Sequence, residues 1–258
     1  MAVLQGLIIA VSTFSQLPTP KVTWEAKSLG WVLMFLPLIG VIIGVVLVAW
    51  YGICTVLPVP DLLRAVGYTV LPLLLTGAIH LDGFSDTSDA LASNAGVARR
   101  QEILHDPHVG AFAVIAVVMY LMAFCGLASG LALSWASAVA FAAVFVMSRG
   151  LAGLATLHLP CTEASSFASA LRSPQAKTPS TVVLVLWVLA SAAAVVVCGG
   201  WPGAVALVVS AFIGALAWFW LTRQFDGFSG DLAGWLIQMV ELGALAGLVF
   251  GTLIVAAL

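Results

Sequence analysis

Three aspartates stand at helical spacing in the run His80-Leu-Asp-Gly-Phe-Ser-Asp-Thr-Ser-Asp89. In a continuous helix, positions i, i+4 and i+7 share one face, so Asp82, Asp86 and Asp89 would point the same way. Three carboxylates on one face repel one another, and one of them would take up a proton unless a cation lay between them. Hard oxygen ligands suit Mg²⁺, or Mn²⁺ in its place, and such an ion can also hold substrate phosphates. The spacing therefore predicts a divalent-metal site rather than an ordinary solvated acidic loop.

Other residues near the three aspartates are candidates for binding or catalysis. Gly83 would let a ligand approach the backbone, and His80 lies within one helical turn of the acidic face. Asp106 is read either as a ligand or as the cap of the following helix. Two histidines beside it, His105 and His108, are able to contact phosphate or metal as neutral imidazoles.

Two further charges stand inside apolar stretches. Arg149 follows Ser148, and Glu241 lies well inside the last apolar segment, with Gln238 one turn before it. A charge at such depth costs several kcal/mol unless it is paired or solvated, and by default it indicates a functional cavity. The alternative is a purely structural Arg149–Glu241 pair. Asp231 is interpreted as a helix cap, a metal ligand, or both.

The elements that must position these residues are membrane spans. Of 258 residues, 62% are hydrophobic and 8% are charged, with a mean hydropathy of +1.16. Soluble domains carry about a quarter charged residues, so this chain has too little polar surface for water. The net charge of −2 argues against a nucleic-acid partner. The four cysteines lie far apart and are interpreted as small apolar residues rather than disulfides or zinc ligands.

Seven segments are long and apolar enough to cross a bilayer: 31–57, 62–79, 110–133, 136–157, 181–198, 202–221 and 235–258. Before them, apolar residues recur at helical spacing up to Phe14, with Gln5, Ser12 and Gln16 on the other side. We therefore predict an all-α integral membrane protein with about seven transmembrane helices plus an N-terminal interfacial amphipathic helix. Residues 1–258 should form a single polytopic membrane domain. Asp61, Asp106 and Asp231 are expected to open the second, third and seventh spans as caps.

Alternate loops differ sharply in charge. Loops 18–30, 80–109, 158–180 and 222–234 hold seven of the basic residues, whereas the other set holds only Arg64. By the positive-inside rule the first set is cytoplasmic. Most of the acids lie in the same loops, so we expect a multi-pass protein of a bacterial or archaeal cytoplasmic membrane, with its active site facing the cytoplasm.

The run 80–89 resembles the H-L-D-G-L-A-D-T-x-D-G signature of the cobalamin synthase family, the adenosylcobinamide-GDP ribazoletransferases. Ala90 departs from the glycine of that signature, and Trp235 and Gln238 replace the alanine and glutamate usual in its last motif. Further segments resemble the family's motifs in the same order and cover essentially the whole chain: 14–20, 35–40, 106–110, Ser148-Arg149-Gly150, and Gly230-Asp231 with Gly234 and Glu241.

The resemblance implies a transferase of the last steps of cobalamin biosynthesis. It would join adenosylcobinamide-GDP and α-ribazole, or its 5′-phosphate, to give adenosylcobalamin, or its 5′-phosphate, and GMP with the help of Mg²⁺. The ribazole 5′ oxygen is expected to attack the phosphoanhydride, with His80 or Asp89 as general base and Arg149 on a phosphate. The expected metal ligands are Asp82, Asp86, Asp89 and Asp231, and the residues expected around the bound groups are Gly83, Asp106, Ser148 and Glu241.

Other readings stay open. A CDP-alcohol phosphotransferase also uses aspartates at a membrane face, but Ile79 stands where its D-x-x-D-G pattern needs an acid. A polyprenyl transferase would want a second acidic cluster. A cation transporter could use Asp82, Arg149 and Glu241, although transport sites usually lie near the midplane. The expected partners are the two substrates and the lipid bilayer, with the oligomeric state, a homo-oligomer included, left open.

Overall fold

The computed structural model describes residues 1–162 and 169–257. Within these residues the chain is helical, and its β pairing is one isolated bridge between Cys161 and Phe228. The all-α prediction is therefore confirmed. The helices are α1 Ala2–Phe14, α2 Ala26–Leu29, α3 Leu36–Val56, α4 Asp61–Thr76, α5 Ile79–Ala92, α6 Val97–Leu104, α7 Ala111–Ser129, α8 Trp135–His158, α9 Pro174–Leu216, α10 Thr222–Phe225 and α11 Gly230–Ala257.

The apolar helices identify a membrane protein. In the described part of the chain five helical runs are long and apolar enough to cross a bilayer, or six if the bent pair α4–α5 counts as one span. Helix α9 has 43 residues, which at 1.5 Å per residue is roughly twice the ~30 Å of a bilayer core. Its backbone breaks at Gly200, and a Cβ on Gly203 would lie 2.1 Å from the Val195 carbonyl oxygen.

Helix α9 is thus a hairpin of two helices, at the place where the sequence predicts two separate spans. The count of seven spans stays a prediction, as does the single-domain organisation. The last predicted span ends at Leu258, which lies outside the described residues. In the described part of the chain no disulfide joins any of the four cysteines.

Helix α1 has 13 residues and is shorter than a span. Gly6 lets it pack closely on the following segment, since a Cβ there would lie 2.8 Å from the Trp31 Cβ. On the polar side, the Gln5 amide oxygen accepts a hydrogen bond from the Ser28 hydroxyl at 2.6 Å. The helix is where the sequence predicts it, but part of its polar face contacts protein. Its position at a membrane surface remains a prediction.

The second predicted span does not run straight into the acidic segment. Gly77 and Ala78 both adopt left-handed backbone conformations, with φ of 62° and 59°, and α5 leaves α4 at 97°. Helix α5 covers the start of the stretch 80–109, which the sequence predicts to be a loop outside the membrane spans, and that placement stays a prediction. The three aspartates keep their shared helix, but that helix starts afresh after the bend.

Asp61 does not cap α4. The helix begins at Asp61 itself, with Pro60 at the capping position, and the carboxylate instead pairs with Arg64 at 2.7 Å. An acid in the first turn and an acid at the cap look alike in sequence, because both favour the positive end of the helix dipole. Asp61 is therefore the first residue of α4 rather than its cap, and the helix starts where it was predicted.

The loops predicted for one side of the membrane meet at one end of the bundle. A Cβ on Gly30 would lie 2.3 Å from the Ser173 Cβ, the Phe228 N–H donates to the Pro160 carbonyl at 2.7 Å, and Arg100 hydrogen-bonds the Gln224 side chain. Residues 163–168 of one of these loops lie outside the described residues. Which end faces the cytoplasm remains a prediction from the basic residues.

We predict that single cysteines at the two ends label from opposite sides. In a cysteine-free background, Ser93→Cys beyond α5 should be protected from a membrane-impermeant maleimide in intact cells, whereas Leu133→Cys between α7 and α8 should react. Both side chains are exposed, so lack of reaction reports the side of the membrane rather than burial. Reaction of the cysteine at position 93 in intact cells, with protection at 133, would reverse the orientation.

Candidate active site

Helices α5 and α11 cross in backbone contact. A Cβ on Gly83 would lie 2.8 Å from both the Cα and the carbonyl oxygen of Asp231, and one on Gly234 would lie 2.7 Å from the His80 carbonyl oxygen. A side chain at either glycine would force the helices apart. Gly83 was expected to leave room for a ligand, but the space beside it is filled by the backbone of α11.

The crossing brings aspartates from two helices together. Asp82 and Asp86 lie on α5, and Asp231 lies in the first turn of α11. Asp82 is exposed, whereas the other two are partly buried. Burial first, and then the carboxylates of Asp82 and Asp231, raise the pKa of Asp86 to about 6. These acids therefore form one electrostatic cluster, as the prediction of mutually repelling carboxylates required.

The cluster suits a metal that shares its ligands with a substrate. Among residues 1–162 and 169–257 no group of three or more His, Cys, Asp or Glu side chains is arranged to hold a metal ion by itself. Mg²⁺ usually takes only one or two protein carboxylates and completes its shell with water and phosphate oxygens. The oxygen donors and their repulsion fit such an open site, whereas a closed protein cage does not match. Metal ligation by Asp82, Asp86, Asp89 and Asp231 stays a prediction.

Asp89 has a structural role that its spacing did not predict. Its carboxylate accepts a hydrogen bond from the Ala113 N–H at 3.1 Å, in the first turn of α7. A Cβ on Gly110 would lie 2.2 Å from the other carboxylate oxygen. Asp89 therefore caps α7, the role expected for Asp106. Asp106 instead accepts hydrogen bonds from His108, one of them from its backbone N–H at 2.9 Å, and these bonds lower its pKa.

The start of α11 is also capped by a residue that the sequence did not single out. The Ser229 hydroxyl oxygen accepts a hydrogen bond from the Leu232 N–H at 3.3 Å. Asp231 was expected in this role, but it is the second residue of the helix, and its carboxylate is on the side of the α5 aspartates. His105 is close enough to act electrostatically on Asp231. The serine before Gly230-Asp231 was the available signal for this cap.

His80 lies on the interior side of α5. Its ring stacks on Phe14, with centroids 6.0 Å apart. Burial, followed by the charge of Arg149, lowers its pKa well below the usual value, so the imidazole is neutral. Neither ring nitrogen has a hydrogen-bond partner among the described residues. Since residues two apart on a helix point about 200° from each other, the ring lies away from the exposed Asp82. Its role as general base remains a prediction.

Arg149 and Glu241 are paired inside the bundle. A guanidinium nitrogen lies 2.5 Å from a Glu241 carboxylate oxygen, and both side chains are 3% exposed or less. The Ser148 hydroxyl donates to the same carboxylate oxygen at 2.9 Å. Nearby, the Tyr120 hydroxyl donates to the Gln238 amide oxygen. Ser148, Arg149 and Glu241 were expected around the substrates, and here they contact one another. A phosphate contact by Arg149 stays a prediction.

Comparisons with known proteins match the chain to one family of enzymes. The family model described as cobalamin-5-phosphate synthase matches residues 6–249. An adenosylcobinamide-GDP ribazoletransferase of Lachnoclostridium phytofermentans is 34% identical, over 93% of this chain and 92% of that protein. Those of Geobacillus kaustophilus and Pseudoalteromonas atlantica are 31% identical, covering 90% of each chain, and 30% identical, covering 92% of this chain and 87% of that protein. No solved structure matches the chain.

Substitution of Arg149 and Glu241 tests whether the pair has a structural role only or also binds substrate. Glu241→Ala should lower the melting temperature strongly, because a buried charge without its partner costs about 3–5 kcal/mol. The double variant Arg149→Met/Glu241→Leu should recover most of that stability. Because Arg149 is predicted to hold a phosphate, we expect this variant to remain poorly active and to lose more affinity for a pyrophosphate-bearing substrate than for one without a pyrophosphate. A stable and fully active double variant would show that the pair is structural only.

The raised pKa of Asp86 predicts a pH-dependent cost to stability. Between the unfolded value of 3.8 and the folded value of about 6, the folded protein holds a proton that the unfolded chain has released, so stability falls as pH rises through this range. In the presence of chelator, Asp86→Asn should therefore raise the melting temperature at pH 8, with a gain in the free energy of unfolding on the order of 1 kcal/mol after allowance for solvent screening. Near pH 4 the two proteins should melt together, and an equal gap at both pH values would contradict the assignment.

Proposed function

The chain belongs to the cobalamin-5-phosphate synthase family, and on that premise we propose that it transfers the cobinamide phosphate of adenosylcobinamide-GDP to α-ribazole 5′-phosphate or α-ribazole, releasing GMP. The family is one of enzymes that make cobalamin, and it implies cobamide substrates. The apolar helices identify the chain as a membrane protein. The observation that carries the finer proposal is the aspartate cluster at the α5–α11 crossing. It is the place on the described surface where several coupled carboxylates meet beside an open groove.

The reaction exchanges one phosphorus–oxygen bond for another. A ribose hydroxyl oxygen bonds to the phosphorus on the cobinamide side, the bond from that phosphorus to the bridging oxygen breaks, and GMP leaves with that oxygen. The family description names a 5-phosphate product. A 5′ oxygen that already carries a phosphate cannot attack, so the 5′ oxygen expected from the sequence cannot be the nucleophile that forms this product. A different ribose hydroxyl is the nucleophile, and its proton passes to a base.

The residues of the cluster divide the task between the two helices. Asp82 and Asp86 from α5, with Asp231 from α11, would hold Mg²⁺, and a bound Mg²⁺ would offset the charge that develops on the departing GMP. The first turn of α11 presents backbone N–H groups and the positive end of the helix dipole at the same place, which favours phosphate binding. His105 adds a donor near Asp231. Asp89, which caps α7, fixes the distance between α5 and α7.

We propose that the cluster faces the cytoplasm of a bacterial inner membrane. The loops that meet around it carry seven of the chain's basic residues, and the loops at the other end carry only Arg64. The alternative of a cation transporter would need a continuous path past Arg149 and Glu241, and the space beside them is small. The cavity beside Arg149 and Glu241 has a volume of about 10 Å³, room for about one water molecule.

Asp82→Asn and Asp86→Asn should each reduce GMP release by at least about 10²-fold, because each removes a charged metal ligand at the reacting phosphates. The assay combines purified protein, adenosylcobinamide-GDP, α-ribazole 5′-phosphate and Mg²⁺, and measures GMP by chromatography. Chelator should abolish the wild-type rate, and added Mg²⁺ should restore it.

Asp226→Asn is the matched control for these variants. This aspartate is exposed and lies in the loop before α11, so it shares the end of the bundle but not the cluster, and its variant should keep the wild-type rate. Full activity of the wild-type protein in chelator, or of Asp82→Asn with Mg²⁺, would rule out the metal site.

A further inference from the structure

A groove of about 630 Å³ opens beside Asp82. It lies between the last turn of α1, the α4–α5 bend and the first turns of α5, and Val117 of α7 forms part of its floor. Its size falls within the range of sites that hold small organic ligands, about 300–1,000 Å³. The corrinoid substrate is far larger than a nucleoside and cannot be enclosed here.

One wall of the groove is built from hydroxyl and amide groups. Ser12 and Thr13 come from the last turn of α1, Gln16 follows that helix, and Ser85 comes from α5. The Thr13 hydroxyl oxygen is buried and has no hydrogen-bond partner among the described residues. Buried hydroxyls are almost always hydrogen-bonded, so this one is available as a partner for a ligand that reaches it from the groove. The groups on this wall match the hydroxyls of a ribose.

Other residues that line the groove are apolar: Ile79, Leu81 and Val117, beside the backbone of the bend. A flat aromatic base would bury its faces against these side chains, and the groove as a whole is amphipathic in the manner of a nucleoside.

The charge of the groove favours binding of the acceptor over binding of the pyrophosphate of the other substrate. Asp82 is the one charged side chain among its described lining residues, and neither lysine nor arginine is present. Apart from the Mg²⁺ proposed at Asp82, the groove would offer a pyrophosphate no positive charge. The uncharged part of the acceptor, its base and ribose, meets no such penalty. A 5′-phosphate on the acceptor would have to remain outside, at the open mouth.

The bend that shapes the groove is strained. Ala78 has a φ of 59°, a left-handed conformation that residues with a Cβ adopt at a cost. At Gly77 the Gln16 side chain packs so closely that a Cβ would lie 2.1 Å from its amide nitrogen. The Gln16 N–H also donates to the Leu75 carbonyl at 2.8 Å. Helix α1 is thereby fixed against the bend, and its polar residues are held toward Asp82.

We propose that this groove binds the acceptor nucleoside, with its base on the apolar lining residues and its ribose against the hydroxyls of α1, so that the attacking hydroxyl lies near Asp82. The proposal rests on the proposed function and names the binding site for one of its two substrates. It gives the polar face of α1 a role in substrate binding in place of simple contact with solvent.

The test compares two variants of α1 with a matched control. Ser12→Trp places an indole in the groove, and Leu4→Trp places the same side chain at an exposed position outside it. Ser12→Trp should raise the KM for α-ribazole, and for its 5′-phosphate, by about tenfold or more and leave the KM for adenosylcobinamide-GDP within about twofold. Leu4→Trp should change neither.

Thr13→Val guards against a folding artefact. It removes the orphaned hydroxyl without changing the side-chain volume, so the melting temperature should stay the same or rise. The KM for α-ribazole should still increase, by about threefold to tenfold. If the Thr13 hydroxyl had a structural role only, Thr13→Val would leave the KM for α-ribazole unaltered.

Equilibrium dialysis of α-ribazole, without the second substrate, separates this proposal from the proposed function. Wild type that binds α-ribazole, with weaker binding by Ser12→Trp, supports the groove even if no GMP is formed. Absence of GMP with both substrates and Mg²⁺ would overturn the proposed function. Wild type that does not bind α-ribazole, or Ser12→Trp and Thr13→Val that both bind it as wild type does, would overturn the groove.

Discussion

The backbone contact between α5 and α11 is the constraint on which the site depends. Gly83 and Gly234 each occupy a position where a Cβ would lie within 3 Å of the other helix's backbone. Overpacking of this kind typically costs about 1–3 kcal/mol, and here it would also move Asp231 away from the α5 aspartates. The 97° turn after α4 supplies the angle at which α5 meets α11. A helix that continued straight from α4 would carry the same three aspartates but would not place them beside Asp231.

The polar interior supports this crossing from below. Arg149, Ser148 and Glu241 join α8 to α11, and the Tyr120–Gln238 hydrogen bond joins α7 to the same helix. Buried ion pairs add little net stability compared with apolar packing, but breaking one is costly, so they fix one arrangement of the helices. With Asp89 capping α7, polar contacts join the helices around the site to one another. Loss of either set of contacts would be felt at the aspartates.

Much of this architecture follows from local sequence patterns. Apolar length predicted the helices, the charge difference between loops grouped the four loops that meet at one end, and the i, i+4, i+7 spacing placed three aspartates on one helix. The motifs predicted the family, and the comparisons with known proteins confirm it. The contacts that the sequence did not predict share a physical cause: Asp89 caps a helix 24 residues away, Gly83 makes room for α11, and Ser148 binds Glu241. Spacing along the chain reports which residues share a face, but not which distant group that face meets.

The central claim is that aspartates from both α5 and α11 hold one divalent ion. Electron paramagnetic resonance of Mn²⁺, titrated into the purified protein, measures this without turnover. The account predicts one site in the wild type, weakened by about tenfold or more in Asp82→Asn and also in Asp231→Asn, and unchanged in Asp226→Asn. Binding of Mn²⁺ that is lost in Asp82→Asn but retained in full by Asp231→Asn would contradict the claim, because the ion would then belong to α5 alone.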